Sequence, residues 1–424
     1  MSGNVPRADY GKESSVELEV HWAGGADQRI GRLYQDTRGV VFFEYDALWR
    51  TGMRELSPIY LPNSTQGAVS TPTPGFGELH GLFQDALPDW WGEHLMQRHF
   101  EKRGIPWNRV ASMHKLACQG NRKMGALTYM PCLDEMDFND GMVAELGALV
   151  EAAREMLRGE TAEVLAALLR SGMSPGGVQP KSLLAISEDF SEILLDDPPP
   201  AGFGGWLMKF DTEPLLQQGR IEAAYADMAR AAGITVPETR LLETAGACHF
   251  LSRRFDRGVS EKRLHLHSYS GLTHTSLRDG LDYTDLMEIA RSLTGDQRSV
   301  DEIFRRAVFN VAGANDDDHG RNHAFLMDAA GVWRLAPAFD LTFATYPLAS
   351  GFRAARVNGK AAGITRKDFI RLGAEQDVRN ARTIIDQVIA SVAQWERHAA
   401  VHGVTPANAA TVSAQQRVIS LKIS

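Results

Sequence analysis

The sequence predicts an α+β protein, with strands gathered towards the N-terminus and helices filling the C-terminal part. Three observations carry this. Residues 16–60 read as β, with apolar and polar side chains alternating over 16–22 at the period of a half-buried strand. From about Asp279 onward, apolar residues recur at helical spacing. Between the two lie apolar runs of strand length around an Ala-rich helical segment. At 44% hydrophobic and 23% charged, the composition is that of an ordinary globular chain, which excludes disorder, collagen and a disulfide scaffold. A length of 424 residues suffices for about three domains or one large two-lobed fold.

Residues 16–22 and 39–45 are the first strand candidates. The Pro-, Ser-, Thr- and Gly-rich stretch 62–77 is a long loop. A helix follows Pro88, with Trp91, Leu95, Met96 and Phe100 on one face. Residues 141–170 carry Leu146, Leu149, Val150, Ala153, Met156 and Leu157 at helical spacing, as one or two amphipathic helices. At Ser171 the pattern changes to a turn-rich loop, 174–182, which leads into Leu183-Leu184-Ala185-Ile186. A second apolar run, 206–210, holds Lys209 in its middle. An Ala-rich helix from Glu222 to about Ala232 ends on Gly233 as its cap. Residues 249–257 read as a strand running out into a polar connection. Ser299-Val300-Asp301-Glu302 has the form of a capping box, opening a helix with Ile303, Phe304, Ala307, Val308 and Val311 inward. One long amphipathic helix is expected over 377–398.

Charge and cysteine usage bound the function. Lys plus Arg total 45 against 53 acids, a net charge of -8 and a pI near 5.9, which argues against nucleic-acid binding through the chain's own charge. No apolar run approaches the roughly 18 residues of a membrane span. The opening residues lack the apolar core of a signal peptide. Cys118, Cys132 and Cys248 are odd in number and far apart, which suits a reducing cytoplasm and suggests no metal site. Size points to an enzyme.

The densest polar cluster is Asn315-Asp316-Asp317-Asp318-His319-Gly320-Arg321-Asn322-His323. Three acids in a row are ordinarily a solvated loop. Here Asp317 and Asn322 stand five apart, the spacing of the protein-kinase catalytic loop, in which the Asp takes the proton of the attacking hydroxyl and the Asn holds magnesium. Asp316 and Asp318 miss that spacing by one residue each. After Asn322, a hairpin-like pair of apolar segments returns the chain to Phe339-Asp340, where a kinase places its second metal-binding carboxylate. Carboxylate and amide oxygens are hard ligands suited to magnesium. The rival is zinc on His319 and His323 at i, i+4, but Gly320 sits where a zincin has its general-base Glu, and His323 alone reads as a structural histidine.

Lys209 is costly inside an apolar run unless an anion faces it. It is either a phosphate-binding lysine or an edge-strand lysine reaching solvent. Glu222 is either its partner or an acid placed for the helix dipole. The Ser174–Lys181 loop has glycines that allow backbone N–H groups close to phosphate, yet it is neither a Walker A motif nor G-x-G-x-x-G, and by itself it also fits a plain turn.

In order along the chain, these residues resemble the HipA family of bacterial toxin kinases. Leu82-Phe83-Gln84-Asp85-Ala86-Leu87-Pro88-Asp89-Trp90-Trp91-Gly92 is similar to the family's F-x-x-x-L-P-D-x-W-G block, and Gly125-Ala126-Leu127 to its later G-A-L/V element. Gly177-Val178-Gln179-Pro180-Lys181 resembles its G-A-Q-x-K loop, and Arg254-Phe255-Asp256-Arg257 its R-F-D-R segment. Asp317-Asp318-His319-Gly320-Arg321-Asn322 fits D-x-H-x-x-N, and Leu335-Ala336-Pro337-Ala338-Phe339-Asp340 is similar to L-x-P-x-Y-D.

The resemblance implies a two-lobed protein-kinase-like fold: an N-terminal β-rich subdomain over 1–135, an ATP-binding part over 136–275, and a mainly helical C-terminal lobe over 276–424. It implies a serine/threonine kinase using ATP and Mg2+, with Asp317 as catalytic base and Asn322 and Asp340 as magnesium ligands. Gly176, Gly177, Val178, Gln179 and Lys181 of the loop, Lys209, Arg253, Phe255 and His319 would join Asn322 and Asp340 around ATP. Ser174 stands where the family autophosphorylates, and about two added negative charges beside a phosphate pocket would repel ATP. Implied partners are a helix-turn-helix antitoxin of HipB type, through which DNA is reached indirectly, and a protein substrate such as an aminoacyl-tRNA synthetase. Departures are Pro175 and Gly176 in the loop, Phe339 for the commoner Tyr, and Arg253 where an acid occurs, so only its backbone role carries over. Two other classes compete: a catalytically dead binding or co-repressor module, and a small-molecule phosphotransferase on the same scaffold.

Overall fold

The computed structural model describes residues 17–71, 73–119, 123–132, 146–158, 168, 179–195, 197–244, 246–258, 262–276, 279–345 and 352–423. Ser174, Gly176, Gly177 and Val178 of the expected phosphate loop lie outside them, as do 141–145, 159–167 and 169–170 of the expected helical stretch. The chain divides into two compact units. The first comprises Met1–Gly205, Asp256–Leu266 and Asp328–Gly331, and the second Trp206–Phe255, His267–Met327 and Val332–Ser424.

The first unit is built on an antiparallel sheet of order β4-β3-β2-β1-β5: β1 (Glu17–Trp22), β2 (Gln28–Gln35), β3 (Val41–Tyr45), β4 (Val69–Ser70) and β5 (Leu127–Met130). The alternation read along β1 puts Leu18, Val20 and Trp22 inside. Strand β2 escaped the sequence reading. Its residues Gln-Arg-Ile-Gly-Arg-Leu-Tyr-Gln lack a clean alternation because the register shifts at a bulge opposite Val20/His21. Gly31 in this strand is obligatory, since a Cβ would lie 2.2 Å from the Glu44 carbonyl. Helix Trp90–Lys102 starts where Asp89 accepts from the Gly92 N–H at 2.8 Å, and buries Trp91, Leu95, Met96 and Phe100 as their spacing requires. Each such side chain stabilises by roughly 1.5–3 kcal/mol. Later in this unit, β6 (Lys181–Ser187) pairs with β7 (Ile193–Leu194).

In the second unit, β9 (Thr239–Thr244) and the 206–209 part of β8 (Phe203–Lys209) flank β10 (Ala247–Arg253), all antiparallel, with Lys209 opposite Phe250. Helix Gln218–Ala231 begins four residues before the expected start, after Gln217 in a left-handed conformation (φ 52°). Sequence reading missed this start because the Gln217 side chain bonds instead to Thr405 and Asn408, a tertiary contact with no local signature. The expected capping box at Ser299 is also corrected. Helix Gln297–Ala312 is capped by Asp296, whose carboxylate accepts from the Arg298 N–H at 2.9 Å. Its inward residues, Ile303, Phe304, Ala307, Val308 and Val311, are buried as expected. The single helix expected over 377–398 is two, Ala381–Val392 and Trp395–Val401, broken at Ala393-Gln394 so that Trp395 turns inward and its indole donates to the Ala409 carbonyl. The hairpin after Asn322 is present as β11 (Ala324–Met327) and β12 (Trp333–Leu335). Among the described residues, no helix is long and apolar enough to cross a membrane.

Candidate active site

The second unit gathers the acids and amides of the polar cluster around one lysine. Lys209 leaves the end of β8, is buried, and places its ammonium 2.5 Å from Glu222 Oε1 and 2.5 Å from Asp340 Oδ1. Burial alone would disfavour the ammonium, but the two carboxylates outweigh it and hold its pKa above the ordinary lysine value. The edge-strand reading of Lys209 is thereby corrected. Glu222 stands in the second turn of helix Gln218–Ala231, one residue past the first, so it is the lysine's partner and not a dipole acid at the helix start.

Asp340 adopts φ 53°, a left-handed conformation uncommon for any residue but glycine, asparagine and aspartate. The Asn315 side-chain amide reaches its carbonyl at 3.4 Å. The Asp317 side chain is 43% exposed, with His319 Nε2 3.8 Å away. Asn322 closes a 3-10 turn, Gly320–Asn322, and donates from its amide nitrogen to the Asp317 carbonyl at 2.8 Å. Gly320 permits this turn, because a Cβ there would meet Ser270 Oγ at 2.6 Å and Tyr269 Cδ1 at 2.9 Å.

Asn322 and Asp340 line one small cavity together with Asn310, Asn315 and Asp318. The Asn315 Oδ1 in this lining is buried without a hydrogen-bond partner. A carboxylate, an amide oxygen and an orphaned amide oxygen around one cavity fit a hard divalent cation. They do not fit zinc: His319 precedes and His323 follows the short 3-10 turn, so the two imidazoles do not share a helical face. No cluster of three or more His, Cys, Asp or Glu able to hold a metal occurs among the described residues. His323 is buried edge-on to Tyr283, and that burial pushes its pKa down to about 4.

The remaining predicted residues fall in two groups. Arg253 ends β10 with its guanidinium 5.6 Å over the Trp206 ring, and its backbone N–H donates to Glu238. Phe255 packs on Phe339, ring centroids 5.3 Å apart, next to Asp340. Lys181, by contrast, belongs to the first unit. It is buried, its ammonium lies 3.0 Å from Asp89 Oδ2, and its carbonyl accepts from the Trp91 indole at 3.1 Å. Sequence reasoning missed Arg353, Tyr283 and Asn310, which surround Asp318. Asn310 signalled only as a polar residue within the apolar pattern of its helix, and Arg353 carried no local signal.

Comparisons with known proteins place two family domains along the chain, and the second takes in residues of both units. Residues 18–130 match the HipA N-terminal domain and residues 173–396 the HipA-like C-terminal domain. Two curated relatives are each called "Putative kinase". One, from Haemophilus influenzae, is 26% identical over 197 residues, 42% of this chain and 55% of the relative. The other, from Sinorhizobium fredii, is 26% identical over 221 residues, 47% of this chain and 53% of the relative. The chain thus matches about half the length of each of these relatives. The solved structure of HipA from Shewanella oneidensis MR-1, in complex with HipB and operator DNA, superposes with a TM-score of 0.69 at 16% identity over 96% of both chains. That likeness establishes the α+β, kinase-like fold. The chain belongs to the HipA family, carrying the family's N-terminal and C-terminal domains in that order.

Proposed function

We propose that this chain is an ATP- and Mg2+-dependent serine/threonine-protein kinase and the toxin of a type II toxin–antitoxin module. One observation carries the reading: Lys209 is shared by Glu222 and Asp340, in the same unit as a loop that presents Asp317 five residues before Asn322. A kinase requires a fixed ammonium for phosphate, hard oxygen ligands and one exposed base, and little covalent chemistry. When bound, magnesium supplies neutralisation of the charge that develops on the transferred phosphoryl group.

The chain's own residues then divide the work. Asp317, half-buried with its side chain open to solvent and next to the loop's turn, accepts the proton of the attacking hydroxyl. Asn322 and Asp340 supply the metal-binding oxygens, and Lys209 exchanges part of its contact with Asp340 for phosphate. Phe255 and the Arg253 backbone form the adenine-facing edge. Ser174 is the proposed site of autophosphorylation. The likeness to a HipA solved with HipB and operator DNA supports a helix-turn-helix antitoxin as partner, with DNA reached through it; the net charge of -8 agrees with that division. A translation component such as an aminoacyl-tRNA synthetase is the proposed protein substrate.

The test is transfer of labelled phosphate from ATP with magnesium, read by mass spectrometry on the purified chain and on cell proteins after induction. Label on Ser174 and on a cellular protein, both lost in Asp317→Asn, is the expected result. Label on small molecules alone points to a different phosphotransferase, and no ATP binding by calorimetry points to an inactive binding module.

A further inference from the structure

Three acids stand in a row at 316–318, and the phosphoryl-transfer reading uses only the middle one. Its neighbour has a different fate. Backbone between Asn315 and Asp318 is not helical, and in extended chain adjacent side chains leave on opposite sides. Asp317 keeps 43% of its side chain exposed, and Asp318 none. A carboxylate removed from water persists only when paired and hydrogen-bonded. Asp318 Oδ2 accepts from the Arg353 guanidinium at 2.6 Å and the Tyr283 hydroxyl at 2.7 Å, and Oδ1 accepts from the Ala355 N–H at 3.0 Å.

None of these partners belongs to the loop itself. Arg353 also donates to the Asn315 carbonyl at 2.9 Å, and the Ala354 N–H to the Asp316 carbonyl at 2.8 Å. On the other side, Ala344 exchanges backbone bonds with Ala314 and Asp316. Residues 314–318 are therefore gripped from two segments that follow Asp340 in sequence. The same network continues through Tyr283, whose hydroxyl accepts from Asn310 Nδ2 at 2.8 Å, to Asn315 and the Asp340 carbonyl. It runs from the neighbour of the proposed base to the backbone of the proposed metal ligand.

We propose that Asp318 and Arg353 form a positioning pair, which holds Asp317 and Asn322 in working geometry for phosphoryl transfer without touching substrate. The inference rests on the kinase reading and deepens it. It gives the third acid a task and assigns a residue 35 positions away to the same loop. Misplacing a reacting group by about 1 Å costs on the order of 10²-fold in rate. Loss of the pair should therefore fall on turnover, whereas ATP affinity, supplied by Lys209 and its neighbours, is retained.

The experiment uses the full chain and reads label transfer from ATP, ATP affinity by calorimetry, and amide hydrogen exchange of residues 314–322. Asp318→Asn and Arg353→Met are expected to lower turnover about 10²-fold with ATP affinity held within about threefold. Arg353→Lys, which keeps the charge, should recover much of it. The double variant should be no worse than the poorer single, since coupled partners are not additive. Loop exchange should rise while helix Gln297–Ala312 stays protected. Wild-type turnover with an undisturbed loop in Asp318→Asn, or equal losses of turnover and ATP affinity, overturns the pair. If the wild-type chain transfers no phosphate, the kinase reading fails, and the exchange arm still decides whether the pair holds the loop. If Asp318→Asn does not fold, Tyr283→Phe, which removes one bond to Asp318, tests the same split in milder form.

Discussion

Lys181 Nζ lies 3.0 Å from Asp89 Oδ2, with the lysine side chain 5% and the aspartate 2% exposed. The Leu-Pro-Asp block and the Gln-Pro-Lys end of the glycine loop, distant in sequence, thus meet in one buried ion pair. Asp89 also caps helix Trp90–Lys102, and Trp91 holds the Lys181 carbonyl, so the contact fixes where β6 begins. Asp89→Ala should destabilise the chain by about 3–5 kcal/mol, because it removes the carboxylate that faces a buried ammonium. Adding Lys181→Met to Asp89→Ala should restore much of that loss. Urea unfolding of the two variants checks both statements, and an unchanged midpoint in Asp89→Ala refutes them.

Lys209→Met should abolish ATP-dependent label transfer and also lower stability by about 3–5 kcal/mol, since Glu222 and Asp340 lose their shared cation. Glu222→Gln leaves the Asp340 contact in place and should cost less, about 1.5–3 kcal/mol. The lysine's raised pKa gives a sign for alkaline conditions. Its contribution is complete below 10.5, the unfolded value, and is lost only as pH climbs above that towards the folded one. Stability in the neutral range should not depend on its titration.

The His323 imidazole works in the opposite direction. Burial lowers it from 6.5 to about 4, so between these values the unfolded chain binds a proton that the folded chain refuses. Stability should be complete above pH 6.5 and fall as pH drops towards 4, by at most about 1.4 kcal/mol per pH unit from this residue. Unfolding midpoints at pH 7 and pH 5 should differ less in His323→Gln than in wild type. Equal differences would remove His323 as a source of the pH dependence.

Gly320→Ala places a methyl group 2.6 Å from Ser270 Oγ and 2.9 Å from Tyr269. Overpacking of this kind costs about 1–3 kcal/mol. Because the turn also sets Asn322, label transfer should fall further than the stability loss alone requires, and a thermal melt beside an activity assay separates the two. Alanine at Gly147, where a Cβ meets nothing within 4 Å and φ is not positive, is the control for a glycine outside the site.

Local pattern was enough for much of this architecture. Trp91, Leu95, Met96 and Phe100 gave their helix away by spacing, and Leu18, Val20 and Trp22 gave theirs by alternation, because a single buried face dictates each period. What stayed hidden was set by distant contacts. Gln217 opens a helix where Thr405 and Asn408 hold its side chain, and β2 loses its alternation to a bulge at Ile30, opposite Val20 and His21 of its partner. The candidate site was legible as a list of chemistries: five-residue spacing marked Asp317 and Asn322, and an apolar run marked Lys209. That one ammonium serves both Glu222 and Asp340, 131 residues along the chain from it in the second case, was not legible, since spacing carries no information about which acids a fold brings together. Nor did three like acids reveal that Asp318 faces inward.

The division of the chain into units has a consequence for how it can be taken apart. Asp256–Leu266 belongs to the first unit although it follows fifty residues of the second, and its contacts are specific: the Asp256 carboxylate accepts from the Gly125 N–H at 2.7 Å, and Arg257 pairs with Asp197 at 2.7 Å. A gene cut after Gly205 would give an N-terminal fragment lacking the acid that receives Gly125 and the guanidinium that neutralises Asp197, and a C-terminal fragment carrying both on a segment with nothing to dock against. Truncation after Gly205 therefore leaves the first unit incomplete, and no single cut in the chain separates the two units.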